Sequence, residues 1–293
     1  MHAAHPIRAA LLFNFGLMLF ACLDTINKHL TASVDVPVIV AARYIGNLVL
    51  MLAIVGPVRG RELVRAERKG LVWIRGACLA ASSLFIVLSL KRIPVAETTA
   101  ISFLAPIVVV VAAGPLLGEK VGARGWVAVF MGFTGVLLIA RPGSGLEPVG
   151  VLCALCSVIA ATTYQLLSRY LASTETTLAM LFYSALAGSI AFGGVLPWFW
   201  PDHAPTLREG IALCCIGGLG GLGHFLFTAA FRNAPASLLA PMSYLQLIWA
   251  LLFGWIGFGH IPDAVGMLGI AIVGASGVLA ALRSRQVPEE PAA

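Results

Sequence analysis

Two oppositely charged residues stand inside apolar stretches of the chain, where a charged side chain is costly. Asp24 and Arg43 lie at similar distances on either side of a short loop centred near residue 33. On two antiparallel helices they would reach a similar depth, so an ion pair between them is geometrically possible. Asp24 would then either staple two helices through Arg43, or bind a proton or the amine of a small molecule. Glu97, which lies at the start of a later apolar stretch, is a second candidate for proton binding.

Hydroxyl and aromatic side chains recur at the spacing of one helix face. Thr99, Ser102 and Phe103 are followed by Pro106 at i, i+3, i+4 and i+7, which places all four on one side of a helix. Other residues that could line the same cavity are Ser82, Ser83, Phe85, Thr163, Tyr164, Gln165, His224, Ser243, Tyr244 and Gln246. Each alone is more often a packing residue. Together they indicate a mainly apolar cavity with a few polar groups, which suits amphipathic small molecules such as apolar amino acids.

Pro106 and Pro241 interrupt two of the apolar stretches. A proline removes a backbone donor and favours a kink. Such kinks predict either movable gates or static bends that serve packing, and the sequence leaves both open.

Composition defines the solvent of the protein. Hydrophobic residues make up 59% of the 293 residues and charged residues 11%, whereas a soluble domain carries roughly 25% charged residues. The chain is therefore predicted to be a polytopic membrane protein whose main partner is the lipid bilayer. Most Lys and Arg lie in short loops, so the net charge of +6 indicates the positive-inside pattern and not a nucleic-acid-binding face.

Ten apolar stretches are long enough to cross a bilayer as helices, which predicts an all-α fold. The predicted spans are residues 8–28, 36–56, 70–90, 94–117, 123–141, 149–170, 177–199, 208–230, 235–258 and 263–283. Twelve Lys and Arg fall in the termini and even-numbered loops, against five in the odd-numbered loops. This asymmetry predicts a multi-pass protein of a bacterial-type inner membrane with both termini in the cytoplasm.

The chain is duplicated at an offset of 141 residues. Pro94 corresponds to Pro235, Ser102 to Ser243 and Phe103 to Tyr244, whereas Asp24 corresponds to Gln165. The first repeat covers residues 1–145, the second covers 146–284, and 285–293 form a cytoplasmic tail. Because each repeat holds an odd number of five spans, the two repeats are predicted to insert in inverted orientation.

No pattern for an enzyme, a metal or a cofactor stands out. The six cysteines lie in apolar stretches and are interpreted as small buried hydrophobes, and the Cys153/Cys156 CxxC lacks a second pair. Gly274–Gly277 is similar to the serine motif of intramembrane rhomboid proteases, but no histidine follows Ser276. No ATPase P-loop or HExxH motif is present. A polytopic enzyme that acts on lipid therefore stays a minor alternative.

Three segments, residues 95–107, 114–119 and 132–136, resemble the EamA repeat of the drug/metabolite transporter superfamily. Pro106, Gly118 and Glu119 match its pattern, whereas His260 and Leu247 stand where the second repeat would place the mates of Glu119 and Pro106.

The resemblance implies a secondary transporter with two inverted five-helix repeats, which works by alternating access. Spans 1, 3, 4, 6, 8 and 9 would surround a central cavity. The resemblance points to the branch that exports amino acids, including aromatic ones. Asp24 or Glu97 would couple transport to protons, whereas an Asp24–Arg43 staple would leave facilitated diffusion without coupling. The expected assembly is a monomer or homodimer. The alternative is a carrier of another metabolite or drug, such as a nucleobase, a vitamin or a toxic cation.

Overall fold

A computed structural model describes residues 6–105, 108, 123–140, 145–171, 174–200, 205–233, 242 and 244–283. Within these residues the regular secondary structure is entirely helical. The helices are α1 (Pro6–Leu30), α2 (Val36–Ile54), α3 (Gly56–Val64), α4 (Lys69–Arg92), α5 (Val95–Ser102), α6 (Ala123–Ala140), α7 (Pro148–Leu171), α8 (Thr177–Phe199), α9 (Leu207–Asn233), α10 (Leu245–Phe258) and α11 (Ala264–Arg283).

The helices confirm the prediction of an all-α polytopic membrane protein. Among the described residues, α1, α2, α4, α7, α8 and α9 are long and apolar enough to cross a bilayer, and three shorter apolar helices accompany them. Apart from spans 4 and 9, of which only part is helical in the described residues, each predicted span begins and ends within about three residues of a helix. The short helix α3 was not predicted, because its polar sequence was interpreted as a loop.

The packing of the helices has the symmetry that the duplication predicts. The 141-residue shift relates α1 to α7, α2 to α8, α4 to α9 and α6 to α11. The most extensive contacts join α4 to α7 and α1 to α9, and each of these pairs maps onto the other. The pairs α2/α8 and α6/α11 map onto themselves. The two inverted repeats are thus interleaved, and each repeat packs mainly on the other.

Small residues allow the backbones to approach closely at two equivalent crossings. A Cβ on Gly217 of α9 would lie 2.9 Å from the Cα of Gly46 on α2. The related crossing joins Gly76 of α4 to α8, where an added Cβ would lie 3.0 Å from the Cβ of Ala187. Close approach through small residues is a common way to pack helices in a bilayer.

The bundle has two ends, which we name by residues that lie there. Helix α1 finishes at the Lys28 end, where α4 also ends and α5 begins. At the opposite Arg68 end, Glu175 accepts hydrogen bonds from the backbone N–H groups of Glu67 and Arg68 at 3.1 and 2.6 Å. These bonds join the α3–α4 segment to the α7–α8 loop.

Candidate functional site

Asp24 lies on the inner face of α1 yet is not fully covered. It shares a face with Phe13 and Leu17, whose side chains are only 1% and 2% exposed. Asp24 itself is partly exposed. Its symmetry mate Gln165, which is exposed, has the same position on α7, on the face of the buried Ala154 and Val158. Both predicted polar positions therefore lie on the inner faces of their helices.

Arg43 approaches the same interior from α2. Its Nη1 atom lies 3.5 Å from the Oγ of Ser83 on α4, and its guanidinium lies 5.9 Å from the centroid of the Tyr44 ring. The Tyr44 hydroxyl and the Ser83 hydroxyl share a hydrogen bond of 2.8 Å, and both residues are buried. Tyr44 also stacks on Phe192 of α8, with 6.2 Å between ring centroids. Arg43 thus reaches from α2 to α4 beside a tyrosine that packs on α8.

Asp24 and Arg43 do not form the ion pair that would staple their helices. Within the described part of the chain, no contact of 4.0 Å or less joins the carboxylate to the guanidinium. Arg43 is nevertheless the charged group whose field acts on Asp24. Gly220 of α9 lies beside both elements, since a Cβ there would be 3.5 Å from the Nε of Arg43 and 3.8 Å from Leu23. The two charges therefore face one interior region without neutralising each other.

His224 of α9 adds an aromatic surface to this region. Its ring lies edge-on to Phe20 of α1, with 4.9 Å between centroids, and the side chain is partly exposed. The fields of both Arg43 and Arg75 act on the imidazole. His224 therefore belongs to the interior that the sequence predicted for it.

Arg75 forms a buried polar cluster that the sequence analysis missed. Its side chain, 4% exposed, donates hydrogen bonds to Tyr164 Oη at 2.8 Å, Ser168 Oγ at 2.6 Å, Ser184 Oγ at 2.9 Å and the carbonyl of Met180 at 2.9 Å. The guanidinium also lies 4.3 Å from the centroid of the Tyr164 ring. These bonds join α4 to α7 and α8. A charged residue inside a predicted span was the signal that could have revealed it.

Arg75→Lys is expected to destabilise the protein by about 3 kcal/mol. A lysine ammonium group cannot form the hydrogen bonds that the planar guanidinium group of Arg75 donates to four partners. The measurement is the thermal unfolding of detergent-purified protein. Arg65→Lys, at an exposed position outside the helices, is the matched control and should leave the unfolding temperature unchanged. Equal unfolding temperatures for Arg75→Lys and the unmodified protein would contradict a stabilising role of the cluster.

Phe103 and Tyr244, which the 141-residue shift relates, touch each other. Their ring centroids lie 4.9 Å apart and the ring planes meet at 38°. A residue that contacts its own symmetry mate lies on the pseudo-twofold axis. Both are also at helix breaks, because α5 ends at Ser102 and α10 begins at Leu245. Discontinuous helices near the symmetry axis are a recurring feature of binding sites in inverted-repeat transporters.

Two predicted lining residues have other roles. Ser82 shares a 2.9 Å hydrogen bond with the hydroxyl of Ser157, and Ser157 Oγ also donates to the Ser82 carbonyl. These two bonds connect α4 to α7. Thr163 donates to the carbonyl of Ile159 at 3.0 Å and lies on the same outer stripe of α7 as Leu152, which is 59% exposed. Thr163 therefore faces the lipid side. The sequence placed both residues wrongly because it does not show which neighbour covers each helix face.

Four further candidates lie within the described residues. Thr99 is buried, Ser102 donates to the carbonyl of Thr98 at 2.9 Å, and Phe85 and Gln246 are half-buried. Ser243, Pro106 and Pro241 lie outside the described residues.

Glu97 forms a second polar cluster, at the Lys28 end. Its Oε1 atom lies 2.9 Å from the Nε2 atom of His260, which follows α10. Lys28 donates hydrogen bonds of 2.8 Å to the carbonyls of both Leu90 and Ile93, at the corner between α4 and α5. Glu97 was predicted from the sequence as a proton-binding residue, whereas its contact with His260 was not.

The sequence profile of the EamA-like transporter family matches residues 7–141 and, a second time, residues 148–282. The two matches are offset by the same 141 residues that relate Phe103 to Tyr244. The chain belongs to the EamA-like transporter family.

Named relatives of this EamA-like transporter differ in what they carry. An uncharacterized transporter of Helicobacter pylori (strain 26695) is 32% identical over 200 residues, 66% of this chain and 67% of its own. The S-adenosylmethionine uptake transporter of Rickettsia bellii is 24% identical over 261 residues, 89% of each chain. The pseudopaline exporter CntI of Pseudomonas aeruginosa (strain UCBPP-PA14) is 24% identical over 260 residues, 87% of this chain and 89% of its own.

A solved crystal structure has the same fold as this EamA-like transporter. It superposes with a TM-score of 0.68, covers 95% of this chain and 98% of its own, and is 21% identical in sequence. Because the chain belongs to the EamA-like transporter family, it is a membrane transporter and not an enzyme, and its substrate is a small molecule.

Proposed function

We propose that this EamA-like transporter carries zwitterionic amphipathic metabolites, above all aromatic and apolar amino acids, across the inner membrane by alternating access. The observation that carries the proposal is the separation of Asp24 and Arg43. A carboxylate and a guanidinium face one interior region, and in the described part of the chain they form no ion pair with each other.

Charge complementarity is the physical reason for a zwitterion. An isolated charge in the membrane interior is costly unless it is paired. The ammonium of an amino acid would neutralise Asp24, and its carboxylate would neutralise Arg43. A bound zwitterion would therefore neutralise both Asp24 and Arg43, whereas a purely cationic or anionic molecule would neutralise only one of them.

Aromatic surfaces favour an apolar side chain on the substrate. The Phe103/Tyr244 pair lies on the pseudo-twofold axis, and the Phe20/His224 pair borders the charged region. Rings of this kind bind flat apolar groups in offset or edge-on arrangements. Gln165, on the inner face of α7, would supply a neutral hydrogen-bonding group.

Asp24 would also couple transport to protons, because one carboxylate binds either a proton or an ammonium group. Exchange of the two at Asp24 gives antiport of substrate against protons. We propose export as the direction, with both termini in the cytoplasm as the charge asymmetry predicts. The Pseudomonas relative, named as an exporter, supports this direction, whereas the Rickettsia relative is named for uptake. The Rickettsia relative, named for S-adenosylmethionine, supports a substrate that contains an amino-acid group.

Counterflow into proteoliposomes tests the substrate class. Vesicles loaded with phenylalanine should accumulate labelled phenylalanine, and a tenfold excess of 3-phenylpropionate or phenethylamine, each lacking one charge, should compete weakly. An outward or inward pH gradient should change the net flux. Strong competition by phenethylamine alone would contradict the proposal and indicate a carrier of cations, and no counterflow of any amino acid in a panel would exclude the amino-acid class.

A further inference from the structure

We propose that Glu97 and His260 form a latch that closes the transport path at the Lys28 end, and that the 141-residue shift places no equivalent pair of residues at the other end. The inference rests on alternating access in the proposed function but not on the identity of the substrate. Glu97 belongs to the first repeat and His260 to the second, so their 2.9 Å contact joins the two halves of the transporter.

The burial of Glu97 makes this contact different from a surface ion pair. Its side chain is 6% exposed and that of His260 is 38% exposed. The second oxygen of Glu97, Oε2, is buried and has no hydrogen-bond partner among the described residues. A carboxylate that is buried and bonded through one oxygen depends strongly on that bond, because its loss leaves the group unpaired.

Local backbone structure places both side chains at the same edge of the bundle. Pro94 precedes α5 with extended backbone, so Glu97 falls in the first helical turn, where the helix dipole favours a carboxylate. Gly259 ends α10 in the left-handed region, at a φ of 65°, and its N–H donates to the carbonyl of Trp255 at 2.7 Å. This turn directs the chain toward α5 and presents His260 to Glu97.

Lys28 extends the closure to α1. Besides its bonds to the carbonyls of Leu90 and Ile93, its ammonium lies 5.6 Å from the centroid of the Phe258 ring, at the end of α10. The field of Glu97 acts on Lys28. The ends of α1, α4 and α10 and the beginning of α5 therefore meet around one polar cluster at the Lys28 end.

The sequence shows that the latch is one-sided. The 141-residue shift relates Glu97 to Leu238 and His260 to Glu119, so the symmetry mates of the two latch residues are a leucine and a glutamate. Leucine cannot pair with a carboxylate. An inverted repeat would otherwise give two mirror-related states of similar energy, and the Glu97–His260 contact at one end favours the state that is closed there.

Hydrogen–deuterium exchange of the substrate-free transporter in nanodiscs tests the latch. Glu97→Gln and His260→Gln should each speed exchange of residues 88–100 and 256–264 by at least about fivefold. They should also slow exchange of residues 62–70 and 170–178 at the Arg68 end, because a population shift opens one end and closes the other. The charge-swapped double variant Glu97→His with His260→Glu should restore the pattern of the unmodified protein.

The matched control is the ion pair between Arg92 and Glu147. It also joins the two repeats at the Lys28 end, with 3.2 Å between Nε and Oε1, but Glu147 is 48% exposed. Exposed pairs contribute little, so Glu147→Gln should leave exchange unchanged. Faster exchange at the Lys28 end without slower exchange at the Arg68 end would overturn the latch, as would failure of the swapped variant to restore it. Because no substrate is present, either result leaves the proposed substrate class untouched.

Discussion

Asp24→Asn is expected to abolish amino-acid transport that is driven by a pH gradient, while the protein still folds. Asparagine has the shape of aspartate but cannot exchange a proton for an ammonium group. Loss of one partner from a desolvated charge pair costs about 2 kcal/mol or more, which corresponds to a loss of apparent affinity of about 30-fold. The measurement is uptake of labelled phenylalanine by proteoliposomes with and without an imposed pH gradient.

Two comparisons separate this role of Asp24 from a structural one. Asp35→Asn, at an exposed position between α1 and α2, should transport like the unmodified protein. In Asp24→Asn, the affinity for 3-phenylpropionate, which has no amine, should be unchanged, since Arg43 still binds its carboxylate. Proton-driven uptake at the normal rate in the Asp24→Asn variant would exclude both coupling and ammonium binding by this residue.

Gly188→Ala is expected to disrupt the packing of α8 on α2 and to destabilise the protein by about 1–3 kcal/mol. An added Cβ would lie 2.7 Å from Cδ2 of the Tyr44 ring and still closer to Cγ and Cδ1. Either the helices must separate, or Tyr44 must give up its hydrogen bond to Ser83 and its stacking on Phe192. Because Tyr44 supports Arg43, counterflow activity should fall together with the unfolding temperature.

The same helix provides the control for this prediction. Gly194→Ala adds the same methyl group where no atom lies within 4 Å, so its unfolding temperature and transport should be unchanged. Combining Gly188→Ala with Tyr44→Leu removes the ring and should recover part of the lost unfolding temperature. A Gly188→Ala protein as stable as Gly194→Ala would show that the two helices adapt without cost.

The interior positions of several site residues could be predicted from residue type alone. Asp24, Arg43 and His224 are costly in lipid, so their presence in apolar stretches already indicated the interior of the bundle. The same argument applied to Arg75, whose cluster was missed because its partners Tyr164, Ser168 and Ser184 stand about a hundred residues away in the chain. Burial cost identifies the residue, but not the groups that satisfy it.

Adjacent residues show where sequence reasoning failed. Ser82 clasps α7, whereas its neighbour Ser83 supports Arg43, and Thr163 faces outward while Gln165 lies on the inner face of the same helix. These residues have similar chemistry, and the helical period alone does not say which face another helix covers. Only the packing of the two repeats distinguishes them.

The sequence by itself showed that the protein lies in a membrane and where most of its helices lie, because bilayer thickness and helix rise impose a length and a composition on each span. It also showed the duplication, because the two repeats still match at an offset of 141 residues. The tertiary structure alone decided that Asp24 and Arg43 remain apart, that Phe103 meets Tyr244 on the symmetry axis, and that Glu97 meets His260 across 163 positions of the chain. Such contacts depend on how the two repeats interleave, and that arrangement results from the summed packing of all the helices and not from any local pattern of residues.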